Sequence, residues 1–501
     1  MIYTQTNDLI AGFKNITVNT TLKIFYFSIL ICLTSACNRD GVDQNYGIYS
    51  EDITFSEKYR DLDENPFVKV DAQTVSIVST DVEGASYADV RQYINIGQTP
   101  PTTSVKIEDM INYFTYDYPE PILPEDNISL NSEVTACPWR AGHYLLRLGL
   151  KGKSIAESEL PKSNYVFLID VSKSMNSPEK IELLQSGLKL LVDNMQANDK
   201  IALVTYSNET KLVLKSTTCD KKDEIKKAID NLFLGGSSVG VPSLTYSYSL
   251  AMDNFITNGS NRVIMASDGD LNVNPSSSDE LLKVITEKRK AGINLTVLGF
   301  GKSNPNNHLM EQIPNKGNGN YEYIDKLGQF MKVFVKEKAK FCSVAKNAKI
   351  QVKFNELRVD SFRLIGYEER EFKKEAIDGY SLAAEIGATQ TITAIYEIVL
   401  HNLSADEKIG IVDFTYTKPD EKQSRQLGLD IQAMPVDFKN ASENTRFAAS
   451  VTAFGLLLKN SKYKGTASKE MVLKLGQDAY TFDPNGYRRE FMSLVNMWTG
   501  E

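Results

Sequence analysis

The chain has 501 residues, of which 42% are hydrophobic and 24% charged, with only 16 prolines, and this globular composition excludes a fibrous or disordered protein. At ~150 residues per domain the length predicts about three domains. Its 56 basic and 64 acidic residues give a formal net charge of -8 with no basic block, so nucleic acid is not expected as a partner.

An apolar run over residues 24–33 follows Lys23 and ends in Thr34-Ser35-Ala36-Cys37. It is too short to span a bilayer, which needs about 20 residues, and it has the order of a secretory signal: charge, apolar stretch, small residues. The small residues before Cys37 resemble a bacterial lipobox, in which the cysteine becomes the lipidated first residue of the mature protein. Residues 1–36 are then a lipoprotein signal peptide. The resemblance implies a protein of the bacterial cell envelope, held to the outer membrane by lipid on Cys37. A plain secretory signal or a buried helix is the alternative. Cys32 leaves with the signal, and Cys137, Cys219 and Cys342 remain. Without a Cys-x-x-Cys pair they are neither a disulfide framework nor a zinc ribbon and read as packed thiols.

Residues 37–73 are polar and aperiodic, which suits a tether. Residues 74–78 read as a strand, 87–94 as a helix, 106–113 as a short helix after the Pro100-Pro101 break, and 144–150 as a strand; together 74–160 form an amino-terminal domain. Within 161–345, short apolar strands (165–169, 201–206, 263–266, 293–299) alternate with amphipathic helices. That is the pattern of an α/β domain with a doubly wound parallel sheet. Ser177-Pro178-Glu179 supplies a cap, a first-turn proline and an acid at the positive end of a helix, whose Ile181, Leu184, Leu188, Val192 and Met195 face the sheet. Over 346–435 the period changes to two, which predicts an antiparallel, β-sandwich-like region. Residues 436–501 return to a helical period at 446–458 and 468–478.

The first central strand ends in Asp170-Val171-Ser172-Lys173-Ser174, and ligands of open α/β sheets bind at the carboxyl ends of strands. Alternate side chains of an extended turn point the same way, so this spacing brings one carboxylate and two hydroxyls toward one hard cation, as Mg2+ favours. Two further loops should lie beside it: Gly235-Gly236-Ser237-Ser238-Val239-Gly240 and Ser267-Asp268-Gly269-Asp270. The first also fits Gly-x-Ser-x-Gly, which would make Ser238 a hydrolase nucleophile, but residues 223–232 before it read as helix where an elbow needs a strand, and only His308 and His401 follow. Gly301-Lys302-Ser303 ends like a phosphate loop, yet Thr296 stands where its first glycine is required.

These three loops resemble the von Willebrand factor type A (VWA) domain and its metal-ion-dependent adhesion site. By position Asp170, Ser172 and Ser174 match the first motif, Ser238 takes the place of a threonine, and Asp268 matches the last aspartate, with Asp270 a neighbour. The resemblance extends to a bacterial lipoprotein family through Asp81 to Tyr87, 111–119, Cys137-Pro138-Trp139, Arg446-Phe447-Ala448-Ala449 and 486–491. It implies Mg2+ or Mn2+ as cofactor and a non-enzymatic role. A protein partner would supply an acidic side chain to the metal, and the lipid anchor would make the membrane contact. A scaffold whose metal site is vestigial is the second reading.

Overall fold

The computed structural model describes residues 63–500 except 81, 83, 237–240, 270–283, 302–318, 369–383, 402–406 and 434–436. Cys37, the signal segment and most of the tether therefore lie outside the described residues. The amino-terminal part supplies β1 (Val68–Lys69), β2 (Val75–Val78), β3 (Ile128–Ala136) and β4 (Tyr144–Gly152). The central part supplies β5 (Ser163–Asp170), β6 (Lys200–Tyr206), β7 (Thr210–Thr218), β8 (Ser260–Ser267), β9 (Asn294–Gly299) and β10 (Tyr321–Tyr323). β11 (Ser343–Phe354), β12 (Val359–Leu364), β13 (Ala384–Gly387), β14 (Thr391–Leu400), β15 (Glu407–Thr417) and β16 (Ser424–Ala433) follow.

The central strands form one sheet in the order β10-β9-β8-β5-β6-β7. β5 sits in its middle, parallel to β6 and β8, and all but one of its residues are buried, as expected for a strand covered on both faces. One edge differs from the purely parallel sheet expected: β7 returns antiparallel on β6. The cause is local, since a turn with Ser207 N donating to Glu209 O closes a hairpin and no crossover helix is available. The helix Leu183–Asn194 buries Leu184, Leu188 and Val192, as its spacing predicts, and Ile181 and Met195 beyond its ends are buried too.

The remaining strands make two antiparallel sheets, β1-β12-β14-β4-β3 and β13-β11-β15-β16, with β2 paired to β11. Residues 74–160 and 346–435 thus share one sandwich. β14 pairs with β4 from Thr391↔Lys151 to Ile398↔Tyr144, because neither segment alone has enough strands to cover the other's apolar face. The fold also reaches into the expected tether: Val68 pairs with Phe362, and Val70 is buried in the sandwich core.

A helical layer joins the helices after β2 to the carboxyl-terminal helices. Tyr87 and Phe114 from the amino-terminal part pack with Phe447, Phe454 and Phe491 of the carboxyl-terminal helices Glu443–Leu458 and Tyr487–Met497. The last helix was not read from the sequence; its Arg488 is buried, donating to Ala479 O at 3.0 Å and Thr115 O at 3.2 Å. Of the residues that carry the wider resemblance, Tyr87, Trp139 and Phe447 are fully buried and belong to the core, whereas Asp117, Pro119 and Arg489 are exposed. Among the described residues Cys137, Cys219 and Cys342 are free thiols, and burial pushes Cys137 and Cys219 each up to about 12, so those two are unreactive.

One buried carboxyl makes stability pH-dependent. Burial first, and then the charge of Glu108, push Glu368 from 4.5 up to about 7. A carboxyl raised in the folded state contributes stability that is complete below its unfolded value and is lost as pH climbs through the folded one. Stability should therefore fall between about pH 4.5 and about pH 7. Above that window Glu368→Gln is expected to be more stable than the parent by about 1–3 kcal/mol, the equivalent of one to two units of relieved shift. Melting curves across the window check this, and parallel profiles for the two proteins would contradict it.

Candidate metal centre

Asp170 is the last residue of β5, with 0% of its surface exposed. Its Oδ1 accepts from Ser172 N at 2.9 Å and its Oδ2 from the Ser267 hydroxyl at 3.1 Å, so the carboxylate is fixed in orientation. Ser172 is extended, and Lys173–Met175 then closes a 3-10 turn. The hydroxyls of Ser172 and Ser174 lie 2.8 Å apart. The expected convergence is present, but Ser174 arrives on the turn and not by alternation along an extended segment.

The glycine-rich loop comes alongside as expected. Gly235 N donates to Val171 O at 2.7 Å and Lys173 N to Gly236 O at 3.5 Å. Gly236 has φ +90, and a Cβ there would stand 2.8 Å from the Asn208 side chain, so no other residue fits this approach without strain. Ser238 and Asp270 lie outside the described residues. The elbow geometry of a hydrolase is not met on the near side, where the helix Lys222–Asp230 and a strandless stretch over 232–235 precede the loop.

Asp268 leaves the carboxyl end of β8 and is 7% exposed. Its Oδ2 accepts from Lys180 Nζ at 2.9 Å, and the same ammonium donates to Ser174 O at 2.8 Å. Lys180 ties two of the three loops together, and sequence reasoning missed it because a lysine in the first turn of an amphipathic helix reads as a solvated residue. Its placement comes from the π-helical turn Pro178–Glu182, closed by Leu183 N donating to Pro178 O five residues back. The cap expected from Ser177 is not made, since its side chain forms no capping bond. Ser267 was missed too, although its place one residue before Asp268 put it at the strand end. Tyr206, at the end of β6, completes the floor; burial first and the Asp170 charge second hold its hydroxyl well above the ordinary range.

Asp170, Ser172, Ser174 and Asp268 are thus brought together, and the donors are all oxygens. That set fits a hard cation such as Mg2+ or Mn2+ and suits zinc or copper poorly, because no imidazole or thiolate is among them. Among the described residues no group of three or more His, Cys, Asp or Glu offers a metal cage, and this site has two carboxylates with two hydroxyls.

Three family models match the chain: the von Willebrand factor type A domain over residues 164–335, von Willebrand factor over 53–147, and the carboxyl-terminal region of uncharacterized protein YfbK over 339–500. Uncharacterized protein YfbK of Escherichia coli (strain K12) is 35% identical over 473 residues, covering 88% of this chain and 81% of that protein. Among solved structures, a von Willebrand factor type A protein from Catenulispora acidiphila is similar at TM-score 0.42 and 14% identity, over 74% of this chain and 89% of that one. The ArnB paralog VWA2 from Sulfolobus acidocaldarius is similar at TM-score 0.37 and 15% identity, over 75% and 99%.

Proposed function

We infer the function from one premise: the chain belongs to the von Willebrand factor type A proteins related to YfbK of Escherichia coli. Its role is protein interaction of the adhesion type. Asp170, Ser172, Ser174 and Ser238 hold a divalent cation, Mg2+ or Mn2+, with Asp268 acting directly or through water, and an acidic side chain of a protein partner completes the coordination. The observation that carries this reading is the convergence of the Asp170 carboxylate with two hydroxyls 2.8 Å apart at the end of the central strand. Few direct carboxylates leave such a cation under-neutralised, which favours an incoming carboxylate. Lys180 balances Asp268 and so adds to that preference for an anionic partner.

The test is capture of partners from membrane extracts by the full chain in Mg2+ and in EDTA, with Asp170→Asn as control. A partner retained only by the parent in Mg2+ supports the reading. Capture that is equal in all arms favours the scaffold alternative.

The envelope attachment through Cys37 is part of the same proposal. It rests on the apolar run that ends in Ala36-Cys37. No helix among the described residues is long and apolar enough to cross a membrane, so attachment of this body calls for an anchor elsewhere. Cys37→Ser is expected to move the protein from the membrane to the soluble fraction, because stable anchoring takes two or more acyl chains and the variant has none. Fractionation of cells expressing either form reads this out; a variant that stays with the membrane contradicts it.

A further inference from the structure

A cavity of about 120 Å3 lies at the end of the parallel sheet opposite the candidate metal centre. Arg262 and Asn294, at the starts of β8 and β9, form one wall, and Glu385 of β13 with Gln390 before β14 forms the other. It sits in the seam between the central sheet and the sandwich. Each water needs roughly 10–15 Å3 on this measure, so the space can hold a small solute.

Arg262 is 4% exposed. Its Nη1 donates to Thr296 Oγ1 at 2.7 Å, and its guanidinium carbon lies 4.4 Å from the centre of the Phe341 ring. Its Nε is buried and donates to no acceptor among the described residues, nor does the guanidinium form an ion pair there. The Nε, part of the edge whose fork matches a carboxylate, is thus left without an acceptor, and Glu385, the carboxyl in the same lining whose charge acts on the guanidinium, forms no ion pair with it. Desolvating a lone guanidinium is costly, and burial holds its pKa below the ordinary value.

Among the described residues no neighbouring acid forms an ion pair with it. Glu337 is already shared by Lys332 at 2.7 Å and Lys340 at 2.6 Å. Glu322, held by Asn320 Nδ2 at 2.8 Å, and Glu385 are carboxyls that burial pushes above the usual range, toward the neutral form. We propose that the seam cavity is a binding site for a small organic carboxylate, held bidentate by the Nε/Nη2 edge of Arg262 with Lys340 at the half-buried rim.

Titration calorimetry and thermal melts of the full chain in EDTA, with succinate, acetate and inorganic phosphate as probes, test this independently of any cation. Succinate is expected to bind and raise the melting temperature, acetate to bind more weakly, and Arg262→Gln to weaken succinate by about tenfold or more. Arg262→Lys keeps the positive charge and loses the fork, so it serves if Arg262→Gln fails to fold, and it should weaken succinate severalfold. The proposal is overturned if no probe binds, as for a seam filled only by water, or if phosphate binds and carboxylates do not. Affinity unchanged in the variants overturns it as well.

Discussion

Replacement of Arg91 by methionine is expected to lower the free energy of unfolding by about 3–5 kcal/mol, the usual cost of removing one partner from a buried ion pair. Arg91 is 0% exposed and joins three parts of the fold. Its Nε and Nη2 donate to the two oxygens of Asp325 at 2.8 and 2.7 Å, and its Nη1 donates to Glu490 at 2.9 Å and to the Tyr113 hydroxyl at 2.7 Å. Asp325 follows β10 in the central domain, whereas Glu490 belongs to the last helix. The loss would strand the Asp325 carboxylate, 5% exposed, without a counter-charge. Two comparisons separate this cause from lost packing. Arg91→Lys keeps the charge but not the fork and should cost less, and Arg91→Met with Asp325→Asn should recover much of the loss, because no uncompensated charge stays buried. Urea unfolding of the four proteins decides it; a single-variant cost below about 1 kcal/mol would place the pair among weak surface bridges.

Asp170→Asn is expected to remove the whole response to divalent cation while leaving the fold intact. A ligand that binds only the folded state at a hundredfold excess over its dissociation constant stabilises by roughly 2.7 kcal/mol, and the variant should gain none of this. The asparagine oxygen can still accept from Ser172 N, so the loss reads out charge and not shape. Sequence reasoning leads one to expect relief of repulsion among Asp170, Asp268 and Asp270 in the metal-free protein. The ammonium of Lys180 already offsets Asp268, which shrinks that gain, and metal-free stability should stay within about 1 kcal/mol of the parent. Ser172→Ala should weaken the cation response without abolishing it. Melts with and without EDTA give all three comparisons, and a variant that still gains stability from Mg2+ would move the site elsewhere.

The alternation of apolar strands and amphipathic helices made the central domain legible, because strands buried on both faces leave continuous runs such as Val166-Phe167-Leu168-Ile169. Asp170 and Asp268 were legible for a related reason: strand ends in such a sheet are where polar side chains gather. The sandwich was read by its period, but not its sharing of strands between distant segments, since the pairing of β14 with β4 is set by apolar faces that any antiparallel partner could cover. β7 escaped because its exposed, lysine-bearing start carries little apolar signal. Lys180 escaped because its role depends on a π-helical turn, which no spacing in the sequence announces. The last helix opens at Gly486 with φ +77 and is capped from further back, by the Asp483 carboxylate accepting from Arg488 N and Arg489 N at 3.1 Å, so its start lacked a cap residue at the usual position.

The measurement that tests the account most directly is calorimetric titration of Mg2+ and of Mn2+ into the EDTA-stripped full chain, run beside Asp170→Asn. The account predicts one saturable site in the parent, for which the two metals compete, and no binding heat in the variant. Absence of binding in the parent, or equal binding in both proteins, would contradict it and leave the carboxyl end of the sheet as a vestigial site on a scaffold.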